Sequence, residues 1–406
     1  MSDLLLTGIG ELVTNRDGAE DLVGAVPDAA VAVRDGRIVW VGPESDLPPD
    51  NRELPTLDCA GRAVIPGFVD AHTHVVFAGD RSDEFARRLR GESYEEVLAY
   101  GGGIRATVGA TRQADLDGLV AESSPRLAAM LAAGTTTAEV KSGYGLDTAT
   151  ERRQLEAVGV LAERTPVDLV STFLGAHVVD AEFTDDRDGF VDLVVSEMLP
   201  ACAPLASYCD VFCDRGAFTV EETRRILVAA RDNGLGLRMH AEELARTGGA
   251  ALAAELGAAS ADHLVHVNDE DIGVLAAAGT AAVLLPATSF SLRSSYAPGP
   301  AMFAAGVTVA LATDCNPGTS YVTSMPFVVA LGCLEMGLTP EQALWAATRG
   351  GALALEDHDK GQVGPGAAAD LVVLDAPTYR HLPYRPGSDL VAAVFKDGRL
   401  VSGSLK

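Results

Sequence analysis

Between residues 61 and 359, eight apolar, strand-like runs alternate with longer helical patterns, and few folds accept that alternation. The runs are Ala63–His74, Thr135–Lys141, Val167–His177, Cys209–Asp214, Gly236–Ala241, Ala261–His266, Ala281–Thr288 and Val307–Asp314. The spacing predicts helices over 116–133, 151–164, 190–199, 220–233, 244–256, 269–278 and 340–353. Start signals accompany three of them: Thr219, Asn268 and Thr339 each precede an acidic or Pro-Glu first turn. Eight strands alternating with helices predict an α/β fold, a parallel (β/α)8 TIM-like barrel, with a doubly wound open sheet as the alternative.

Both chain ends follow a different pattern. Ala30–Gly42 holds two alternating runs flanking Asp35-Gly36, a strong hairpin signal. Val391–Gly403 repeats that design around Asp397-Gly398, and Ala369–Asp375 adds another strand. Neither end is long enough for a core of its own. The expected organisation is therefore a small discontinuous β-sandwich from 1–60 with 360–406, and a catalytic barrel over 61–359.

The chain carries 57 acidic against 31 basic residues, a net charge of −26. Such a surface repels nucleic acid and anionic membranes, and an anionic small substrate would need a local cation. No run approaches the roughly 18 apolar residues of a membrane span. The Met-Ser-Asp-Leu-Leu-Leu start lacks a basic region and a cleavage site, which predicts a cytoplasmic protein. The six cysteines are scattered and read as reduced, packed thiols. No dinucleotide or phosphate-binding glycine loop is present; Gly101–Gly103 reads as a flexible loop or active-site lid.

In a barrel, chemistry gathers at the carboxyl ends of the strands. Here those ends carry His72, His74, Lys141, His177, Asp214, His240, His263 and Asp314, which include five of the eight histidines. Residues two apart on a strand share a face, so His72 and His74 can aim at one point. Any one of these side chains alone is more simply a satisfied structural residue. Together, His72, His74, His240 and Asp314 offer three nitrogens and one oxygen, a set for one divalent metal that leaves room for water.

The stretch Ile65-Pro-Gly-Phe-Val-Asp-Ala-His-Thr-His74 resembles the first-strand signature of the amidohydrolase superfamily of metal-dependent hydrolases. Longer segments resemble its imidazolonepropionase family, which acts in histidine degradation. They are His72–Arg81 with Glu84-Phe85, Gly101–Ile104, Gly134–Gly145, Val167–His177, His240–Glu243, Ser260–Leu264 and Ala312–Thr319. The resemblance spans essentially the whole chain. It implies water-driven opening of the lactam of 4-imidazolone-5-propanoate to N-formimidoyl-L-glutamate, with Zn or Fe at His72, His74, His240 and Asp314. It implies substrate contacts from Arg81, Tyr144, His177, Glu243, Asn316, Gly318 and Thr319, and a homodimer.

The residues themselves suit that chemistry. A bound metal lowers the pKa of its water from 15.7 to about 7. Asp314 is placed to act as general base, His263 to orient water or stabilise the oxyanion, and Glu243 to shuttle a proton to the ring nitrogen. Arg81 offers a carboxylate fork, its bland alternative being an ion pair with Asp80, Asp83 or Glu84. Lys141 lies on the second strand, too early for the carboxylated lysine of two-metal amidohydrolases, and is not counted as a ligand. The competing readings are a mononuclear deaminase of a cytosine- or guanine-like base, a two-metal hydantoinase or dihydroorotase, and a metal-free scaffold.

Overall fold

The computed structural model describes residues 3–16, 18–19, 21–91 and 102–405. Five strands open the chain: β1 (Leu4–Val13), β2 (Ala25–Arg34), β3 (Arg37–Pro43), β4 (Thr56–Asp58) and β5 (Ala63–Pro66). Eight follow in the central region: β6 (Phe68–Asp70), β7 (Thr135–Lys141), β8 (Asp168–Ala176), β9 (Tyr208–Cys213), β10 (Gly236–Ala241), β11 (Ser260–His263), β12 (Ala281–Leu284) and β13 (Val309–Leu311). The chain closes with β14 (Leu371–Leu374), β15 (Val391–Lys396) and β16 (Arg399–Gly403).

β6 to β13 form one parallel sheet in chain order. The ends of that sheet meet beyond the named strands. Thr73 bridges Cys315 in parallel, the Asp314 amide donates to the His72 carbonyl (3.0 Å), and the His74 amide donates to the Cys315 carbonyl (2.9 Å). The barrel therefore closes at the segments that carry the expected metal ligands, and the open-sheet alternative is excluded.

The terminal strands form a separate mixed sheet in the order β16-β15-β14-β5-β1-β2-β3, with β4 on β1. It has its own buried cluster, including Leu6, Ile9, Val31, Val64, Leu371 and Phe395. Asp35-Gly36 and Asp397-Gly398 turn its two hairpins with positive φ at all four residues (50°, 78°, 48° and 70°), the geometry of a type I′ turn.

One expected strand proves to be two. Ala63–His74 breaks at Gly67, with β5 in the terminal sheet and β6 in the barrel. A β-carbon on Gly67 would lie 2.2 Å from Thr136 Oγ1, so only glycine passes between the sheets there. The expected strand 281–288 stops at Leu284, and Pro286 opens a helix, Pro286–Leu292. Helices Ser82–Leu89, Ile104–Gln113 and Met325–Leu334 were not anticipated. Thr219, Asn268 and Thr339 cap their helices, each with a reciprocal capping box. The six cysteines are free thiols. No helix among the described residues is long and apolar enough to cross a membrane.

Candidate metal centre and active site

His72 and His74 follow β6 on backbone that the Thr73 bridge keeps extended, so both rings enter the barrel mouth. Their Nε2 atoms lie 3.3 Å apart. Asp314 Oδ1 sits 3.5 Å from the first and 3.6 Å from the second. His240, at the end of β10, puts its ring centroid 4.5 Å from that of His72. Ligand atoms of His72, His74 and His240 fall within 4.8 Å of one another, as do those of His72, His263 and Asp314. The four expected ligands are thus together, and His263 stands within the same reach.

The ring nitrogens are prepared for a cation. His72 Nδ1 is 2.6 Å from Asp262 Oδ2, and His240 Nδ1 is 3.0 Å from both oxygens of Asp210. Protonated Nδ1 atoms leave the Nε2 lone pairs facing inward, the arrangement found where a carboxylate orients a metal-binding histidine. Burial drives His72, His74 and His263 well below the ordinary imidazole range, so all three are neutral. Burial also works against charge on His240, but the Asp210 carboxylate outweighs it and raises its pKa. Clustered neutral nitrogens beside a buried carboxylate are a poor arrangement without a cation and a good one with it, so these residues fit a bound metal ion.

Asp314 has two distinct oxygens. Oδ1 faces the histidines, while Oδ2 accepts a 2.5 Å hydrogen bond from Thr288 Oγ1. Burial pushes this carboxyl up to about 6. Glu243, pushed by burial and then by Asp314 to about 8, sits with Oε2 3.7 Å from His263 Nε2. Its backbone amide is held by Asp214 Oδ2 at 2.7 Å.

The other expected contacts line the same space. His177 donates from Nδ1 to the Gly143 carbonyl (3.0 Å) and stacks on His74 at 5.3 Å, with burial lowering its pKa to about 3. It is a neutral ring whose Nε2 is left as an acceptor. Tyr144 packs against His177 (5.4 Å) and His74 (5.9 Å). Its loop is gathered by Glu151, which accepts from the amides of Gly143, Gly145 and Leu146. Gly143 has φ 114° with His177 against it, a conformation that requires glycine.

Arg81 and Asn316 are already engaged. Arg81 gives Nε and Nη2 to Glu84 (2.9 and 2.5 Å), the pairing that the sequence offered as its bland alternative. Its Nη1 edge packs on Gly318, where a β-carbon would lie only 2.3 Å away. Asn316 uses its side-chain oxygen on the amides of Gly318 and Thr319 (2.8 Å each) and its NH2 group on the Asp314 carbonyl (2.8 Å). It therefore shapes the last loop. Arg81, Gly318 and Thr319 border a cavity of about 1280 Å³ whose lining mixes Arg88, Arg126 and Arg293 with Asp80, Glu122 and Glu335. Gly103 donates to Glu84 Oε2 (2.8 Å); Gly101 lies outside the described residues.

Sequence reasoning missed Asp210, Asp262, Thr288 and Glu151. Asp210 and Asp262 had a signal, each being a lone carboxylate inside an apolar strand. Asp262 was hidden by alternation, which sends Asp262 and His263 to opposite faces. His263 adopts φ 74°, and that left-handed step lets both neighbours approach His72. Asp314 (φ 50°) and Glu242 (φ 55°) are bent in the same way at the ends of their strands.

Residues 63–401 match the model of the amidohydrolase family, and residues 29–51 match that of an imidazolonepropionase-like composite domain of bacteria. The chain is 51% identical to an imidazolonepropionase of Salinispora arenicola, over 98% of both chains. It is 51% identical to an imidazolonepropionase of Mycolicibacterium smegmatis, over 99% of this chain and 98% of that one. Among solved structures, the zinc complex of an atrazine chlorohydrolase from Arthrobacter aurescens shares its fold, with a TM-score of 0.71 at 19% identity over 98% of this chain and 95% of the other.

Proposed function

From the premise that this chain belongs to the amidohydrolase family and, within it, to the imidazolonepropionases, we infer that it hydrolyses 4-imidazolone-5-propanoate to N-formimidoyl-L-glutamate. It is a hydrolase of a cyclic amide C–N bond and needs a metal. The observation that carries the assignment to this site is the convergence of His72, His74, His240 and Asp314 at the closed mouth of the barrel. Full-length likeness to imidazolonepropionases disfavours a deaminase of a cytosine- or guanine-like base.

We assign one divalent ion, Zn or Fe, to His72, His74, His240 and Asp314. Bound there, it supplies a water acidified towards neutral pH and a positive charge for oxyanion development. Asp314, with Oδ2 pinned by Thr288, takes the proton of the attacking water through its other oxygen. Glu243, protonated at neutral pH, delivers a proton to the lactam nitrogen as the C–N bond breaks. His263 orients Glu243 and the water. His177 accepts from a ring N–H through Nε2, and Tyr144 packs against the ring. Arg81, preset by Glu84, receives the propionate on its Nη1 edge beside Gly318 and Thr319, on the loop that Asn316 shapes.

The same reading has the barrel over 61–359 as the catalytic unit and 1–60 with 360–406 as its β companion, acting as a cytoplasmic homodimer without nucleic-acid or membrane partners. The test is the decay of ultraviolet absorbance of 4-imidazolone-5-propanoate with purified metal-loaded protein, ammonia being assayed alongside. Formimidoylglutamate without ammonia is expected, and Arg81→Ala should raise KM most. Folded, metal-loaded protein that leaves the substrate untouched would overturn the reading.

A further inference from the structure

Beneath the metal centre lie five ionisable side chains with no exposed surface: Glu139, Lys141, Asp210, Arg238 and Asp262. Burying that much charge is costly unless each group is paired. Three carboxylates against two cations leave one negative charge, and Asp314 above them adds a second. The whole then balances a divalent cation.

The two cations do different work. Arg238 turns mainly to backbone, donating to the carbonyls of Ala71 (3.0 Å) and Ala354 (2.9 Å). Lys141 turns only to carboxylates. Its Nζ is 2.7 Å from Glu139 Oε1, 2.7 Å from Asp210 Oδ2 and 3.5 Å from Asp262 Oδ2. The last two oxygens are those that receive the histidines: Asp210 Oδ2 at His240 Nδ1 and Asp262 Oδ2 at His72 Nδ1. One ammonium therefore stands between the two carboxylates that orient two separate metal ligands, on strands β9 and β11. A carboxylated Lys141 would add an anion among three others, so the side chain works as the ammonium.

We propose that Lys141 is a positioning residue of the metal centre, tying Asp210 to Asp262 and through them fixing the ring orientation of His240 and His72. This rests on the metal-centre reading above and extends it to a residue that touches neither metal nor substrate. Carboxylates that orient metal-binding histidines are worth about 10–100-fold in metal affinity, and one residue holding two of them should carry a loss of that order.

The experiment is a zinc dissociation constant from competition with a fluorescent chelator, on full-length protein and without substrate. Lys141→Met should weaken zinc binding about 10–100-fold. Histidine side-chain 15N spectra should show His72 and His240 losing their single Nδ1–H form. Since an uncompensated buried charge can unfold the chain, Lys141→Met with Glu139→Gln restores the charge balance while leaving Asp210 and Asp262 intact. That double variant should fold and still bind zinc weakly. Parent-like zinc affinity in either folded variant would overturn the proposal. So would failure of the double variant to fold, which would make Lys141 a general support of the barrel. Loss of turnover in parent protein that still binds zinc would strike the assigned reaction and leave this inference standing. A parent that binds neither zinc nor ferrous iron would sink the metal reading and this proposal with it.

Discussion

Among the described residues, a cluster of buried charge lies under the histidines, and a second, only partly buried one lies at the seam between the terminal sheet and the barrel. At the seam, Lys396 Nζ reaches Asp370 (3.1 Å), Asp168 (3.0 Å) and Asp397 (3.2 Å), and Lys360 also pairs with Asp168. Asp370 Oδ1 accepts besides from the Asp397 amide (3.0 Å). Apart from the Thr137 hydroxyl that Lys360 reaches (3.1 Å), the partners there are other charges or backbone and none is an imidazole, so the cluster ties β15 to the base of β7 and β8. Under the histidines the carboxylates carry a second duty, each holding an imidazole. The comparison teaches that a buried ion cluster is read by its outward contacts, since the internal ones look alike.

The sharpest way to break the comparison is to remove one cation from the seam. Lys396→Met leaves the almost fully buried Asp370 without its ammonium, and breaking such a pair should cost roughly 3 kcal/mol. Asp168 is half exposed and contributes less. The thermal midpoint should fall while kcat/KM and zinc affinity stay at parent values. An equal loss of zinc affinity would show that the two clusters are not separate.

The converse change is Asp262→Asn. It keeps the shape of the side chain but weakens acceptance from His72 Nδ1, so zinc affinity should drop about 10–100-fold. The thermal midpoint of metal-free protein should move less than in Lys396→Met. A midpoint that falls further than at the seam, with zinc affinity intact, would reverse the assignment of roles.

How much of this was legible in the sequence follows the same division. Thr135–Lys141 and Gly236–Ala241 fold as the strands that their apolar runs predict, because a barrel strand is buried on both faces. The hairpins at Asp35-Gly36 and Asp397-Gly398 and the caps at Thr219, Asn268 and Thr339 are local chemistry, fully written in a few residues. The four expected metal ligands meet because strand ends of a barrel must converge. What stayed hidden depends on contacts distant in sequence or on broken periodicity. Gly67 changes sheets because Thr136 leaves no room for a side chain. Asp262 faces His72 because His263 steps out of the extended conformation. Glu84 claims the fork of Arg81 because a helix begins there, which a run of charged residues did not announce.

A smaller effect sharpens the comparison from the side of the site. Glu243 has its pKa raised by burial from the ordinary 4.5 to about 8, so the folded protein keeps a proton there that the unfolded chain has lost. Fewer protons bound in the unfolded state mean that stability falls as pH rises across that window. The favourable share is complete below pH 4.5, erodes between 4.5 and 8, and is gone above 8. Glu243→Gln cannot ionise and should escape that erosion. Its thermal midpoint relative to parent should therefore improve between pH 5 and pH 9. Turnover should fall in the same variant, because the proton for the lactam nitrogen is no longer supplied. A midpoint difference that stays flat from pH 5 to pH 9 would place Glu243 in the ionised form at neutral pH. Proton delivery would then have to come from another group of the site.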